Sequence, residues 1–149
     1  MEIERKFKIK ELPDLSQCSF LVMEQGYLNT EPVVRVRKEN DNYYLTYKGK
    51  GMLVREEYNL PLTKDAYEHL VEKADGIVIR KTRYIIPYKK YTIELDVFDK
   101  PYEKLVIAEV EFESEEEAEK FQQPLWFGED VTFDRRYHNS NLSKGIKFE

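Results

Sequence analysis

Polar and apolar residues alternate with a period of two along most of the chain, a pattern typical of strands with one buried face. For example, Glu94 and Asp96 flank Leu95. Eight runs show this alternation, at residues 2–9, 20–28, 33–38, 43–48, 53–60, 78–87, 91–98 and 105–113. Because the connections at 38–42 and 48–51 are short enough for hairpins, neighbouring strands are expected to pair antiparallel.

Two helical segments interrupt the strands. The first is predicted at residues 64–75, with Thr63 as its N-cap and Gly76 as its stop signal. The second begins at Ser114, where the sequence Ser-Glu-Glu-Glu forms a capping box. A third short helix is expected near 135–145. The chain is therefore predicted to be α+β but mainly β, with two or three peripheral helices, in a single domain that spans residues 1–149.

Composition narrows the function classes. The net charge of −5 argues against a nucleic-acid binder, which normally carries a basic surplus. A single cysteine, Cys18, excludes an intramolecular disulfide framework. The N-terminus lacks an apolar stretch of signal-peptide length and no later run could span a membrane, so a cytoplasmic location is expected. Charged residues nevertheless make up 36% of the chain, well above the roughly 25% of typical domains, and this excess needs an explanation.

The charged residues occupy the polar face of each strand, opposite its apolar face, and they are sorted by sign from strand to strand. Acidic pairs occur at Glu2 and Glu4, at Glu94 and Asp96, and at Glu109 and Glu111, whereas basic residues prevail at Arg35 and Arg37, Lys48, Arg55, and Lys81 and Arg83. One interpretation is that these residues form the ordinary solvent-exposed face of an antiparallel sheet. If the sheet instead closes with this face inward, the carboxylates suit divalent cations and the Arg and Lys side chains suit phosphate oxygens.

The chain starts with Glu2-x-Glu4-x-Lys6, and eight further segments, most of them with charged residues, carry recognisable motifs. These are Gln25–Leu28, Val34–Arg37, Leu45–Lys48, Arg55–Tyr58, Arg80–Tyr84, Glu94–Phe98, Glu109–Phe112 and Trp126–Thr132. Together they resemble, in the same order, the CYTH domain family of triphosphate tunnel metalloenzymes. The resemblance covers essentially the whole chain. It implies a closed eight-stranded antiparallel β-barrel, the triphosphate tunnel, open at both ends and with the charged face inward.

The resemblance and the charge pattern together predict the roles of the site residues. Glu2, Glu4, Glu109 and Glu111 are predicted to bind Mg²⁺ or Mn²⁺. Glu57, Glu94 and Asp96 are predicted either to hold a second metal or to pair with basic side chains in the tunnel. The predicted phosphate ligands are Lys6, Lys8, Arg35, Arg37, Lys48, Arg55, Lys81, Arg83 and Arg135. Lys81 and Tyr27 are predicted to orient the attacking water, with Lys6 as a further catalytic candidate.

The predicted reaction is hydrolysis of a small-molecule triphosphate, above all inorganic tripolyphosphate. The alternatives are a class IV adenylyl cyclase, a thiamine triphosphatase and a polyphosphate-binding module without turnover. Asn59 departs from the family pattern, because many members continue there with a glutamate. His138 is expected to be a packing residue, and a homodimer stays open.

Overall fold

A computed structural model describes residues 1–146, most of which belong to one antiparallel sheet of ten strands. The strands are β1 (Glu2–Ile9), β2 (Ser19–Thr30), β3 (Val33–Glu39), β4 (Asn42–Lys48), β5 (Val54–Arg55), β6 (Glu57–Leu62), β7 (Asp75–Tyr88), β8 (Tyr91–Phe98), β9 (Val106–Glu111) and β10 (Phe127–Asp130). Their order in the sheet is β10-β1-β9-β8-β7-β2-β3-β4-β6, and β5 pairs with β1.

The sheet curls into a nearly closed barrel. β6 pairs with β4 at one edge, while β5, which precedes it along the chain, pairs with β1 through Glu2 and Arg55. The interruption at Glu56 lets one stretch of chain bridge the two edges of the sheet. The predicted mainly β barrel is thereby confirmed, with two small differences. The run predicted at 53–60 is split into β5 and β6, and β10 is an additional strand.

The first helix, α1 (Lys64–Val71), begins as predicted but ends earlier. The Thr63 hydroxyl accepts a hydrogen bond from the backbone N–H of Ala66 at 3.1 Å. Gly76 lies in β7, with φ of +68°, and not at a helix end. A Cβ atom at this position would clash with the carbonyl oxygen of Ser143. The glycine is therefore needed because the C-terminal segment packs directly against β7.

The other helices are short. α2 (Glu115–Lys120) has Ser114 as its N-cap, as predicted. The third predicted helix is present in two pieces, a 3₁₀ turn at Arg135–Tyr137 and the helix α3 (Asn139–Leu142). Within residues 1–146, no helix combines the length and apolar character needed to cross a membrane.

Two apolar clusters lie on opposite faces of the barrel wall. The first covers the outside, where Phe7 and Leu95 pack beneath α2 and the aromatic ring of Phe121. The second contains Ile79, Phe98 and Ile107, which alternate in phase with the inward-facing charged residues of their strands. These side chains pack against residues of the C-terminal segment, including Tyr137 and Leu142. The C-terminal segment therefore fills part of the barrel interior.

Candidate active site

The inward-facing charged residues line a cavity of about 300 Å³ inside the barrel. Of the residues predicted for the site, those that line it are Glu2, Glu4, Lys6, Tyr27, Arg35, Arg37, Lys48, Arg55, Glu57, Arg83, Glu94, Glu109 and Glu111. Lys8, Lys81, Asp96 and Arg135 do not line it. The predicted convergence of acidic and basic strands in one enclosed space is therefore present.

The acidic side of the cavity is formed by three neighbouring strands, β1, β9 and β8. One carboxylate oxygen from each of Glu4, Glu109 and Glu94 lies within 4.8 Å of the other two. Lys6 Nζ lies 3.0 Å from Oε1 of both Glu4 and Glu109. A cluster of three oxygen donors fits Mg²⁺ or Mn²⁺, which prefer carboxylate ligands.

The protonation of this cluster is uneven. Burial and the negative charge of Glu109 raise the pKa of Glu4 to about 8. Burial also opposes ionisation of Glu109, yet the positive charges of Lys6 and Arg83 hold its pKa well below the ordinary range. Burial, more than any other influence, raises the pKa of Glu94. A divalent cation at this position would offset the repulsion between these carboxylates.

Glu2 and Glu111, the other predicted metal ligands, are not among these three carboxylates, although Glu111 lies opposite Glu4 in the sheet. Lys48 Nζ is 3.1 Å from Glu2 Oε1 and 3.3 Å from Glu57 Oε2, so these two carboxylates share one ammonium group. Burial and the charges of Glu2 and Glu57 raise the pKa of Glu111. The three-carboxylate cluster thus contains Glu94, which was predicted for a second metal, in place of Glu2 and Glu111.

The basic side of the cavity is centred on β3. In one direction around the barrel, β2, β7 and β8 lie between β3 and β9. In the other direction, β4, the β5–β6 stretch and β1 lie between them. Arg35 and Arg37 therefore lie across the barrel from Glu109. Arg35 is 5% exposed, and its Nε has no hydrogen-bond partner. Such a buried donor is costly unless an anion accepts from it.

The other basic groups of this wall are also weakly paired. Arg37 Nε donates to the neutral Gln25 Oε1 at 2.7 Å, and its one ion pair within residues 1–146 is to Glu39 at 3.5 Å. Burial, together with the charges of Arg35 and Arg83, lowers the pKa of Arg37 to about 10. Arg55 Nε donates to the carbonyl oxygen of Gly49 at 3.2 Å. The wall therefore keeps guanidinium donors available for phosphate oxygens.

The comparisons with known proteins agree with this arrangement. The profile of the CYTH domain matches residues 1–148. The chain belongs to the CYTH domain family. It is 39% identical over 150 residues to a protein of Nitrosomonas europaea named inorganic triphosphatase, with 97% of this chain and 98% of that one covered. It is also 39% identical to an Acetivibrio thermocellus protein of the same name, over 96% of this chain and 93% of that one.

Solved structures support the same assignment. A crystal structure described as an inorganic triphosphatase superposes with a TM-score of 0.73 at 36% identity, over 98% of this chain and 96% of that one. A putative adenylate cyclase from Bacillus halodurans superposes with a TM-score of 0.59 at 19% identity, over 100% of this chain and 94% of that one. The second likeness shows that the two chains share a fold.

Lys81 of this CYTH domain is enclosed and does not face the cavity. Its side chain has no exposed surface, and its Nζ lies 2.7 Å from Asp96 Oδ2 and donates to Asn139 Oδ1 at 2.9 Å. Arg83 donates to both oxygens of Asp96, at 2.7 and 2.9 Å. Asp96 is therefore enclosed by two basic partners, which is the pairing that the sequence left open as an alternative to a second metal.

Two predicted phosphate ligands lie outside the cavity of the CYTH domain. Lys8 is exposed, with Nζ 6.0 Å from the centre of the Tyr137 ring. Although Lys8 follows Lys6 on the same strand face, the C-terminal segment fills the barrel at this level and separates it from the cavity. Arg135 is also exposed, and it lines a second cavity beside the first.

Several neutral residues of the site were not predicted. Gln25 and Thr46 share the inward phase of their strands with Tyr27 and Lys48, but a search for charged residues passes over them. Thr46 Oγ1 accepts from Arg35 Nη2 at 3.3 Å. The inward phase of the strands was the signal that could have identified both.

The C-terminal segment adds His138, Asn139 and Ser140 to the cavity lining of the CYTH domain. His138 is buried with Nε2 3.1 Å from the carbonyl oxygen of Thr132, so it also packs, as expected from the sequence. Burial and the charge of Lys6 lower the pKa of His138 to about 4. The sequence pattern of this segment did not indicate that it lines the cavity, because its position depends on long-range contacts.

Proposed function

We propose that this CYTH domain is a metal-dependent phosphohydrolase that cleaves inorganic tripolyphosphate to pyrophosphate and phosphate. The observation that carries the proposal is that acidic and basic side chains line opposite sides of one enclosed cavity. A cluster of three carboxylates lies on one side, and a wall of buried arginines, with the unpartnered Arg35 Nε, lies on the other. The names of the relatives at 39% identity support the same reaction.

The acidic cluster defines where a cation would be held. Glu4, Glu94 and Glu109 would provide the carboxylate ligands of Mg²⁺ or Mn²⁺, with Glu2, Glu57 and Glu111 at the edge of the same acidic region. When bound, such a cation neutralises charge on the phosphate oxygens as a Lewis acid. Lys6 bridges Glu4 and Glu109 and fixes the separation of their carboxylates before the ligand arrives.

The basic wall binds and orients the polyphosphate. Phosphoryl transfer has a loose transition state, so positioning and neutralisation of charge account for most of the catalysis. Arg35, Arg37 and Arg55 donate hydrogen bonds to phosphate oxygens and keep the chain extended across the cavity. Because these side chains lack strong carboxylate partners, binding the anion does not require an existing ion pair to be broken.

The group that guides the attacking water is proposed to be Lys81 with Tyr27. Tyr27 lines the cavity, and its hydroxyl lies 3.5 Å from Gln25 Nε2. Lys81 does not line the cavity, because Asp96 and Asn139 hold its amine. This role therefore requires both partners to release the amine toward the cavity. The cytoplasmic location and the homodimer also stay predictions.

A substrate panel tests the proposed reaction. Purified protein is incubated with tripolyphosphate, ATP or thiamine triphosphate, with Mg²⁺, with Mn²⁺ or with EDTA, and phosphate and cyclic AMP are measured. We expect metal-dependent phosphate release chiefly from tripolyphosphate. Cyclic AMP formation would assign the domain to the cyclases, and binding of tripolyphosphate without phosphate release would make it a binding module.

Two variants test whether the cation binds at the three-carboxylate cluster. Glu109→Gln removes a carboxylate of the cluster at nearly constant volume, and activity should then require a higher metal concentration. The control is Glu119→Gln on the exposed surface of α2, which should behave as the wild type. Equal metal dependence of the two variants would contradict the placement of the cation.

A further inference from the structure

A second cavity, of about 370 Å³, lies beside the active-site cavity. Five basic side chains line it, those of Lys50, Arg55, Arg135, Arg136 and Lys144, against a single carboxylate, Glu31, among the residues that the structure describes. This local surplus occurs in a chain whose net charge is −5. A concentrated positive field on an otherwise acidic protein attracts small anions selectively.

The two cavities adjoin each other. Val33, Arg55, His138 and Ser140 line both, so the two cavities share part of their walls. Arg55 connects the basic wall of the active site with the basic residues of the second cavity.

Apart from Arg55, the basic residues of the second cavity have no part in the proposed reaction. Arg135 was predicted to bind phosphate, yet it lies here and not in the active site. Lys50 and Lys144 are exposed, and neither forms an ion pair within 4.0 Å among residues 1–146. Their charges are available to a ligand without loss of an existing contact.

We propose that this cavity is a second phosphate-binding subsite, which holds phosphate groups beyond the three in the active site. The inference rests on the proposed function and extends its substrate class to longer linear polyphosphates. The same chemistry would also hold a free phosphate or pyrophosphate ion on its way out of the barrel. The test distinguishes these two sources of phosphate, the tail of a longer polyphosphate and a free ion.

Binding without turnover tests the subsite independently of hydrolysis. Tripolyphosphate, pentapolyphosphate and orthophosphate are titrated calorimetrically, in EDTA, into the wild type and into the double variant Lys50→Gln/Lys144→Gln. The matched control is Lys73→Gln/Lys104→Gln, which removes the same charge from exposed positions outside both cavities. If the panel finds no hydrolysis, these titrations still report on the subsite.

We expect the wild type to bind pentapolyphosphate about tenfold more tightly than tripolyphosphate, because two added contacts with partly solvated charges are worth about 1.4 kcal/mol. The double variant should lose this gain and keep its affinity for tripolyphosphate, whereas the control should keep both.

Orthophosphate separates the two sources. A chain-length gain that disappears in the double variant identifies the tail of a long polyphosphate. Absence of such a gain, with orthophosphate binding weakened only in the double variant, identifies a free phosphate ion. Identical titrations for the wild type, the double variant and the control would overturn the subsite.

Discussion

Lys81 combines complete burial with a pKa lowered to about 7. Desolvation is the largest cause, the charges of Arg83 and Arg37 add to it, and the negative charge of Asp96 opposes the shift. An ordinary lysine is fully protonated near neutral pH, whereas this amine loses its proton within the working range of most enzymes. The sequence shows one of these causes, the basic residue Arg83 two positions along the same strand. It did not reveal that burial is the larger cause, since burial depends on packing by the C-terminal segment.

The first prediction concerns Lys81→Ala. A base acts in its neutral form, so the wild-type kcat should rise with pH and level off above about 7. The variant should lose kcat by a factor on the order of 10² with little change in KM, and its residual rate should not show this rise. Steady-state kinetics across the pH range, with a melting curve to confirm folding, provide the measurement. An unchanged kcat would remove the assignment.

Asn59 controls the charge next to the basic wall. Thr46 Oγ1 donates to Asn59 Oδ1 at 2.6 Å and accepts from Arg35 Nη2 at 3.3 Å. The neutral amide therefore orients Thr46 without neutralising Arg35. In family members that have a glutamate at this position, a carboxylate would compete with the substrate for the same guanidinium.

The second prediction follows from this contact. Asn59→Asp places a negative charge beside Arg35 and should raise KM for tripolyphosphate about tenfold, equivalent to about 1.4 kcal/mol. Asn59→Ser is the matched control, because it keeps the site neutral and should stay near the wild-type KM. Equal KM values for the two variants would show that the charge at this position does not affect substrate binding.

At the scale of elements, α3 depends on the barrel for its structure. A helix of four residues is not stable alone, so its contacts must hold it in place. Asn139 Oδ1 accepts from Gln25 Nε2 at 2.7 Å and from Lys81 Nζ at 2.9 Å, which ties α3 to β2 and β7 together. Leu142, with no exposed surface, completes the attachment.

The third prediction tests this attachment. Asn139→Ala leaves the buried donors of Gln25 and Lys81 without this acceptor, and the free energy of unfolding should fall by about 1–3 kcal/mol. Urea denaturation measures the change. Asn141→Ala, which removes a hydrogen bond at an exposed position, should cost less. Equal losses in the two variants would mean that Asn139 does not tie α3 to the barrel.

The elements differ in how well the sequence predicts them. Strands such as β8 were recovered with the same bounds, because alternation depends on local packing against one face. The end of α1 at Val71 was not recovered. The role of Gly76 was not recovered either, since it depends on the approach of Ser143 from a distant part of the chain. The division of the α3 region into two short pieces likewise reflects tertiary contacts.

At the scale of the whole molecule, closure of the sheet was expected from the resemblance to CYTH domains. The sorting of charges by strand agreed with closure but also fitted an ordinary solvent-exposed sheet face. Which carboxylates converge was not predictable. The register places Glu94 opposite Glu109 and Lys6 opposite Glu109 on the other side, while Glu2 pairs with Arg55 across the closing seam. Register and stagger are properties of the closed barrel, and alternation along one strand does not specify them.

Recognition of polyphosphate by an enclosed basic wall is tested most directly by equilibrium binding of imidotriphosphate, in which nitrogen bridges prevent turnover. Calorimetric titration with Mg²⁺ present compares the wild type with Arg35→Gln and with Arg80→Gln, an arginine whose side chain is 56% exposed on the outer face. We predict that Arg35→Gln weakens binding at least about tenfold, the effect of losing a buried charge-assisted contact, while Arg80→Gln binds as the wild type does. Equal affinity of Arg35→Gln and the wild type would contradict a basic wall that binds the substrate.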